Sequence, residues 1–523
     1  MCAPRRQPFG IAVVLSCGVM AAGCAGLPPV TQQPPAHVRV RESTQGTARP
    51  GPGAGIRAEN ALPGYPGWRI TRPGQGSAIE GYVDRVSALP GSPVRLFVST
   101  TAASFRVRAL RFGWYGGTLA RLVWSSPAIP GKRQLPATVL AHGMAVARWQ
   151  PSLTLPTTGW PPGSYLLRLD ASAGGQRYVP LVIRSASVTG RVVLVQPTTT
   201  FQAYNPWGGY NLYQGPDGSY VTRARMVSFD RPYATEDGAG SFFQEDQPLV
   251  SYAERLGLPL SYITSVDLDL DPHVLDGARA TVSEAHDEYW SPAMRAAVTR
   301  ARDHRVNLAF FGANAIYRKI RFEPSRLGRD RTEINYKNPR QDPLYDRDNA
   351  AVTGNWPDPP HADPESSLTG QAYACIGSRA PMVVTDPDGW IWAGSGAHQG
   401  TVVPGVVGLE FDAVKPPGPT PRPIEIFARS PDHCHGHVAE GDVTYYVAAS
   451  GAGVFDAGTE GWSCGLPTAV ATSFCPHPSA QPPAPQVIET ATRNILRAFS
   501  RGPAGREHPA HDFFTTQCMR IAR

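Results

Sequence analysis

Lysine is nearly missing from this chain: Lys132, Lys319, Lys337 and Lys415 are four among 49 basic residues, and the rest are arginine. No run of five or more basic residues occurs, so the net charge of +7 is a scatter of solvated arginines and excludes a nucleic-acid-binding tail. No C-x-x-C is present, which leaves a zinc ribbon or a thioredoxin-like redox site without support. Beyond the N-terminus there is no apolar run of the ~20 residues that a membrane helix needs. Long heptad patterns are absent too. With 53 Gly and 53 Pro beside 41% hydrophobic residues, coiled coil, collagen and wholesale disorder are excluded, and a loop-rich globular protein with β structure remains. At 523 residues and ~150 per domain, two to four domains are expected.

Arg5 and Arg6 precede an apolar stretch from Phe9 to about Ala22, the length of a signal-peptide core. It ends Ala21-Ala22-Gly23-Cys24, which resembles a lipoprotein lipobox with Ala21 where Leu is usual. Residues 1–23 therefore read as an export signal, and Cys24 as the lipid-carrying mature N-terminus that anchors the chain to the membrane; secretion without a lipid is the alternative. Arg5-Arg6 also gives the signal a faint twin-arginine look. Five cysteines remain in the mature chain, Cys375, Cys434, Cys464, Cys475 and Cys518. In an oxidising envelope they allow at most two disulfides, with Cys464 and Cys475 the best local pair.

Residues 24–74 are rich in Pro, Gly, Gln and Arg and read as a tether. From 75 to 188, short alternating runs such as Val94-Arg95-Leu96-Phe97-Val98 recur between Gly/Pro turns, which predicts an antiparallel β-sandwich of immunoglobulin-like type. From Arg191 the period changes. Val192–Val195, Leu260–Thr264, Ala280–Ser283 and Asn307–Phe311 read as buried strands, with helices over Pro248–Leu256 and from a Ser291 cap with Pro292 at its first position to about His304. This alternation predicts a doubly wound parallel sheet within an α/β domain spanning 189–510, followed by a tail over 511–523. Ligands of such sheets bind beyond the carboxyl ends of the strands, at the loops after Val195, Thr264, Ser283 and Phe311. Later strands such as Val443–Val447 read as isolated, and an amphipathic helix is expected from about Gln486 to Phe499.

The loop after Ser283, Glu284-Ala285-His286-Asp287-Glu288-Tyr289-Trp290-Ser291, concentrates ionisable and phenolic groups at a strand-to-helix turn, where they are costly unless they bind something. In the next loop, Gly312 and Asn314 permit tight or left-handed backbone, and Tyr317 can return over the same sheet edge. Glu410 sits in an apolar run and needs a partner. His433-Cys434-His435-Gly436-His437 reads as a solvated turn rather than a soft-metal cluster. Asp267, Asp269 and Asp271 alternate and would share one face of an extended chain. No triad can be assembled around Ser395, and a Cys nucleophile is excluded because every mature cysteine follows residue 370.

Arg111-Phe112-Gly113-Trp114-Tyr115-Gly116-Gly117, Tyr204-Asn205-Pro206-Trp207-Gly208-Gly209 with Leu212-Tyr213, and Val227-Ser228-Phe229-Asp230-Arg231-Pro232 are distinctive phrases. So are His286–Ser291, Gly312–Tyr317 and Ser450–Phe455 with Gly458-Thr459. Together, over roughly residues 79–510, they resemble the large (β) subunit of N,N-dimethylformamidase and the bacterial proteins named after its C-terminal domain. The resemblance implies a β-sandwich followed by an α/β domain resembling class I glutamine amidotransferases. It also implies a mononuclear ferric ion held by two tyrosines and a glutamate, carried over by motif onto Tyr289, Tyr317 and Glu410, and hydrolysis of a small amide.

Phenolate and carboxylate are hard donors suited to such an ion. Glu288 and Asp287 are then candidates for the general base, with His286 orienting it. The expected partners are a small amide and, through Cys24, the membrane, with no nucleic acid; self-association stays open. The rival expectation is a non-catalytic envelope protein that uses the same fold to bind a glycan, peptide or protein.

Overall fold

A computed structural model describes residues 55–74, 78–377, 379–475 and 484–513. The signal segment, the lipobox with Cys24 and Cys518 lie outside these residues. No helix among them is long and apolar enough to cross a membrane. The chain is mixed α/β, richer in strands than in helices.

Residues 55–74, expected to belong to the tether, are instead packed. Helix α1 (Ile56–Asn60) buries Glu59, which pairs with Arg121 at 2.6 Å, and Trp68 is buried and donates its indole N–H to Thr118 O. A carboxylate that ends a Pro/Gly-rich segment has found a cation, so the chain is ordered by an ion pair that composition does not register.

The alternating segments form two antiparallel layers. Strands β1 (Ile79–Val83), β2 (Val94–Thr100) and β5 (Leu153–Leu155) make one, in order β1-β2-β5. Strands β3 (Ser104–Phe112), β4 (Ala120–Ser125), β6 (Gly163–Ala171) and β7 (Gln176–Ile183) make the other, in order β7-β6-β3-β4, with Ser87–Ala88 added in parallel at the β7 edge. Their inward side chains share one apolar core that includes Leu96, Val107, Leu167 and Leu181, as period-2 alternation requires.

The second layer system is a seven-stranded sheet in the order β9-β8-β10-β11-β15-β14-β13. Its strands are β8 (Val192–Gln196), β9 (Leu260–Thr264), β10 (Ala280–Ser283), β11 (Asn307–Phe310), β13 (Ile424–Cys434), β14 (His437–Val447) and β15 (Gly453–Asp456). The first five in that order run parallel, and β14 and β13 join through antiparallel pairings. Every residue of β8, β9, β10 and β11 is buried, which explains their continuous apolar character. The fifth parallel strand arrives late: Leu308 pairs with Val454, and Val443–Val447, expected to be isolated, lies inside β14 of this sheet.

Helices α2 (Thr198–Tyr204), α3 (Gln247–Arg255), α4 (Ser265–Leu270) and α5 (Pro292–Asp303) connect these strands, and α6 (Ala484–Arg501) follows the sheet. Ser291 caps α5 with Pro292 in its first turn, as expected. Asp267 and Asp269 are helical rather than extended. Asp267 completes a capping box with Thr264 and accepts from Arg184 at 2.9 Å, while Asp269 accepts from the Ser291 hydroxyl. Disulfides join Cys464 to Cys475, as expected, and Cys375 to Cys434.

Sandwich and α/β layers belong to one compact unit, Arg39–Arg523. Arg111 of β3 and Glu254 of α3, both fully buried, lock them together: Arg111 Nη1 lies 3.1 Å from Glu254 Oε2 and 2.7 Å from the Tyr115 hydroxyl, and the Tyr262 hydroxyl donates to Glu254. A Cβ on Gly113 would stand 2.0 Å from Glu254 Oε2, so the phrase Arg111-Phe112-Gly113 has a steric reason.

Glu254→Ala strands a buried guanidinium and is expected to cost about 3–5 kcal/mol in urea unfolding, while Arg111→Met with Glu254→Leu together recover most of that loss. Burial, followed by repulsion from Asp386, raises the Glu425 carboxyl to about 8. Its folded value exceeds the unfolded one, so its stabilising contribution is present at acid pH and lost as pH rises through about 8. Thermal unfolding followed between pH 6 and 9 is expected to show a falling Tm, and Glu425→Gln to flatten that slope.

Candidate metal centre

Two strand ends build the site. The loops after β10 and β11 are laced together: Ile316 N–H donates to Asp287 O at 3.0 Å and Arg318 N–H to Glu288 O at 2.8 Å. Their approach is so close that a Cβ on Gly312 would sit 1.7 Å from Ala285 O. Ala285, Asn314 and Ile316 all hold φ between +38° and +61°, and for a β-branched residue such as Ile316 this is a strained conformation. Strain of this kind persists only where surrounding contacts over-determine it, and here Ile316 is fully buried in the core.

Glu288 is the centre of the arrangement. It is 0% exposed. The Tyr213 hydroxyl lies 2.8 Å from both of its oxygens, the Tyr204 hydroxyl 2.8 Å from Oε2, and the two phenol oxygens 2.8 Å from each other. Arg318 Nε donates to Oε1 at 2.9 Å. Burial opposes the charge of Glu288, but Lys337, Arg318 and His286 overcome it and hold the carboxyl down at about 2. Such a group is a poor proton acceptor and a permanent anion.

Beside it, His286 Nε2 is 3.1 Å from Glu410 Oε2 and 3.6 Å from Glu288 Oε2, and Nδ1 is 3.2 Å from Glu460 Oε1. Burial disfavours the imidazolium, yet Glu460, Glu410 and Glu288 raise it well above the ordinary histidine value. Burial pushes Glu460 up to about 7 against the pull of His286. Asn314 donates to Glu410 Oε2 at 2.8 Å, and its own N–H is held by Asp412. Among the described residues, His286, Glu410 and Glu460 place ligand atoms within 4.8 Å of one another, a group able to hold a metal ion.

The expected residues thus fall in one neighbourhood but are grouped differently. Tyr289, Tyr317 and Glu410 make no hydrogen bond with one another. Tyr289 is fully buried beside the two phenols that bind Glu288: its ring stands edge-on to Tyr204 and Tyr213 with centroids 6.2 and 6.5 Å apart, and its hydroxyl accepts from Lys337 and meets the Tyr213 hydroxyl rather than Glu288. Tyr317 packs against Tyr373 with ring centroids 5.1 Å apart. Glu410 joins His286 instead. Asp287 is fully buried and its Oδ2 accepts from Ser283 at 2.9 Å, apart from the His286–Glu410 contact.

The two tyrosines and one glutamate whose oxygens do converge are Tyr204, Tyr213 and Glu288. Tyr204 closes α2, directly after β8, and lies in the loop region where a doubly wound sheet binds its ligand. The signal was present in the phrases around Tyr204 and Leu212-Tyr213, but nothing local told which tyrosines turn inward. Glu460 was missed because Thr459-Glu460 follows the late strand β15.

The model of the family described as N,N-dimethylformamidase beta subunit-like, C-terminal, matches residues 106–475, more than half of the chain. The chain belongs to this family. Membership agrees with the expectation drawn from its six phrases and makes a dimethylformamidase-like hydrolase the family context of the site. No curated protein matches with significance. Among solved structures, a Paenibacillus sp. cycloisomaltooligosaccharide glucanotransferase complexed with cycloisomaltoheptaose is similar at 18% identity, over 23% of this chain and 16% of that one, with a TM-score of 0.14. A likeness that small carries no argument, and this chain spans far less than two thirds of that protein.

Gly312→Ala is expected to force the two loops apart. Circular dichroism should show a folded protein with lowered Tm, and bound metal should fall by at least about tenfold, since displaced ligand supports typically cost 10–100-fold in affinity.

Proposed function

We propose that the chain is an exported amide hydrolase whose hard-oxygen centre is Tyr204, Tyr213 and Glu288. The observation that carries this is the convergence of two phenol oxygens on one buried, permanently ionised carboxylate. Burial and then Glu288 push both phenols well above their ordinary value, so they are neutral donors to the carboxylate here and would become phenolates only by losing their protons to a bound cation; two phenolates and a carboxylate would fit a ferric ion better than a soft or borderline metal. Such an ion, when bound, supplies a Lewis acid that polarises an amide carbonyl and acidifies water.

The chain's own residues handle the protons. Glu288, too acidic to act as the base expected of it, orients the phenols. Glu410, at the partly exposed edge of the site, accepts the proton of the attacking water at Oε2, 3.1 Å from His286 Nε2. His286, kept cationic by its three glutamates, returns a proton from Nε2 to the leaving nitrogen, and Glu460 fixes the ring through Nδ1. Arg318, paired with Glu288 at 2.9 Å, keeps the site from accumulating negative charge, while burial and then Arg318 push the Lys337 amine well below its ordinary value.

The antiparallel sandwich and the five parallel strands support the finer reading of an immunoglobulin-like domain before a glutamine-amidotransferase-like one. Two disulfides support an oxidising compartment, and with it the export signal and the lipid anchor at Cys24.

The test is iron content together with the visible absorption of the mature chain. Near-stoichiometric iron with a tyrosinate-to-iron band is expected. Tyr204→Phe and Tyr213→Phe should each lower iron content and shift or abolish the band, whereas Tyr289→Phe and Tyr317→Phe should keep both. The reverse pattern would return the ligand set to Tyr289 and Tyr317, and a chain that takes up no iron on reconstitution would leave the non-catalytic binding protein as the reading.

A further inference from the structure

Arg223 is an arginine without a counter-ion beside this centre. It is 7% exposed. Its Nη1 donates to Tyr220 O at 2.7 Å and its guanidinium lies over the Tyr220 ring at 3.8 Å, but Nε has no hydrogen-bond partner. Among the described residues neither Arg223 nor Arg225, whose guanidinium reaches Arg223 O, forms a salt bridge. Burying Nε without a partner, on a guanidinium with no acid beside it, is unfavourable.

The charges around it deepen the deficit. Arg223 is an electrostatic neighbour of Arg318, Lys337 and Tyr289, the residues that surround Glu288. Glu288 is already shared between Arg318 at 2.9 Å and His286 at 3.6 Å, and neither Arg223 nor Arg225 bonds to it. The other nearby acid, Glu333, is fully buried with neither oxygen hydrogen-bonded, and burial pushes its carboxyl well above the ordinary value against the pull of Lys337 and Arg231. Phenolates at Tyr204 and Tyr213 would be spent on a bound cation. A positive excess therefore stays on the Arg223 side of the site, held by a planar fork that pairs with carboxylates through two parallel hydrogen bonds.

We infer that Arg223, flanked by Arg225 and Arg318, is an anion subsite, and that the substrate is an amide carrying a carboxylate rather than an uncharged dialkyl amide. The inference rests on the amide-hydrolase reading, and the experiment separates the two.

Iron-loaded mature chain is assayed with N-formylglycine and with N,N-dimethylformamide, as wild type, Arg223→Gln and Arg223→Lys, each checked by circular dichroism. The wild type is expected to favour N-formylglycine in kcat/KM. Arg223→Gln should lower the ratio of the two specificity constants by about 10- to 100-fold, through KM for the carboxylated substrate, in line with the loss of a charged hydrogen bond. Arg223→Lys, which keeps the charge without the fork, should recover part of it and serves as the comparison if the Gln variant does not fold. No preference in the wild type, or an equal effect on both substrates, would overturn the subsite.

If neither amide is hydrolysed, the amidase reading fails on its own, and calorimetric titration with N-formylglycine decides the subsite. Binding that Arg223→Gln weakens at least about tenfold retains it. Absence of binding to the wild type removes it.

Discussion

A carboxylate sealed from water must be compensated or protonated, and that constraint on Glu288 organises the site. Arg318, Lys337 and His286 keep it charged, and each is delivered by a different piece of chain. Arg318 arrives on the strained loop after β11, Lys337 on the segment after Gly328–Ile334, and the two phenols on the stretch after β8. Displacing any of these pieces leaves a buried charge unanswered. The surrounding backbone bends to the same demand: left-handed Ala285, Asn314 and Ile316 lie on the two loops that cross at Gly312.

The same economy operates at the seam between the sandwich and the α/β layers. Arg111 and Glu254 are both excluded from solvent, and two tyrosine hydroxyls satisfy what the pair itself does not. Buried ion pairs add little net stability compared with well-packed apolar groups, but they tolerate only one arrangement. Here that arrangement joins β3 to α3, the helix between β8 and β9. The sandwich is thereby fastened to the α/β layers rather than a free appendage.

Within the site, acid–base duties are divided by environment. Glu288, surrounded by cations, is fixed as an anion, while Glu460, buried with few donors, sits at about 7 and can exchange a proton near neutrality. Two glutamates of identical chemistry are thus held in different states by their surroundings alone. At Arg223 the same compensation is left open, with Nε buried and no acid paired to it among the described residues.

By itself the sequence determined the element types wherever a local pattern carries them. Period-2 runs became the sandwich, continuous apolar runs with a Ser291-Pro292 cap became the parallel strands and α5, and the crowding of His286, Glu288 and Glu410 marked the site's neighbourhood. It also paired Cys464 with Cys475, eleven residues apart. Tertiary structure alone decided which tyrosines bond the carboxylate, because Tyr204 and Tyr213 return to Glu288 from more than 70 residues upstream, while its chain neighbour Tyr289 packs against their rings and accepts from Lys337. It decided as well that β15 completes the sheet through Leu308 and Val454, and that Glu59 draws a Pro/Gly-rich segment into the core through Arg121. These are contacts between residues distant in the chain, whose energy comes from neutralising charge and excluding water at one point in space, and no window of neighbouring residues contains both partners.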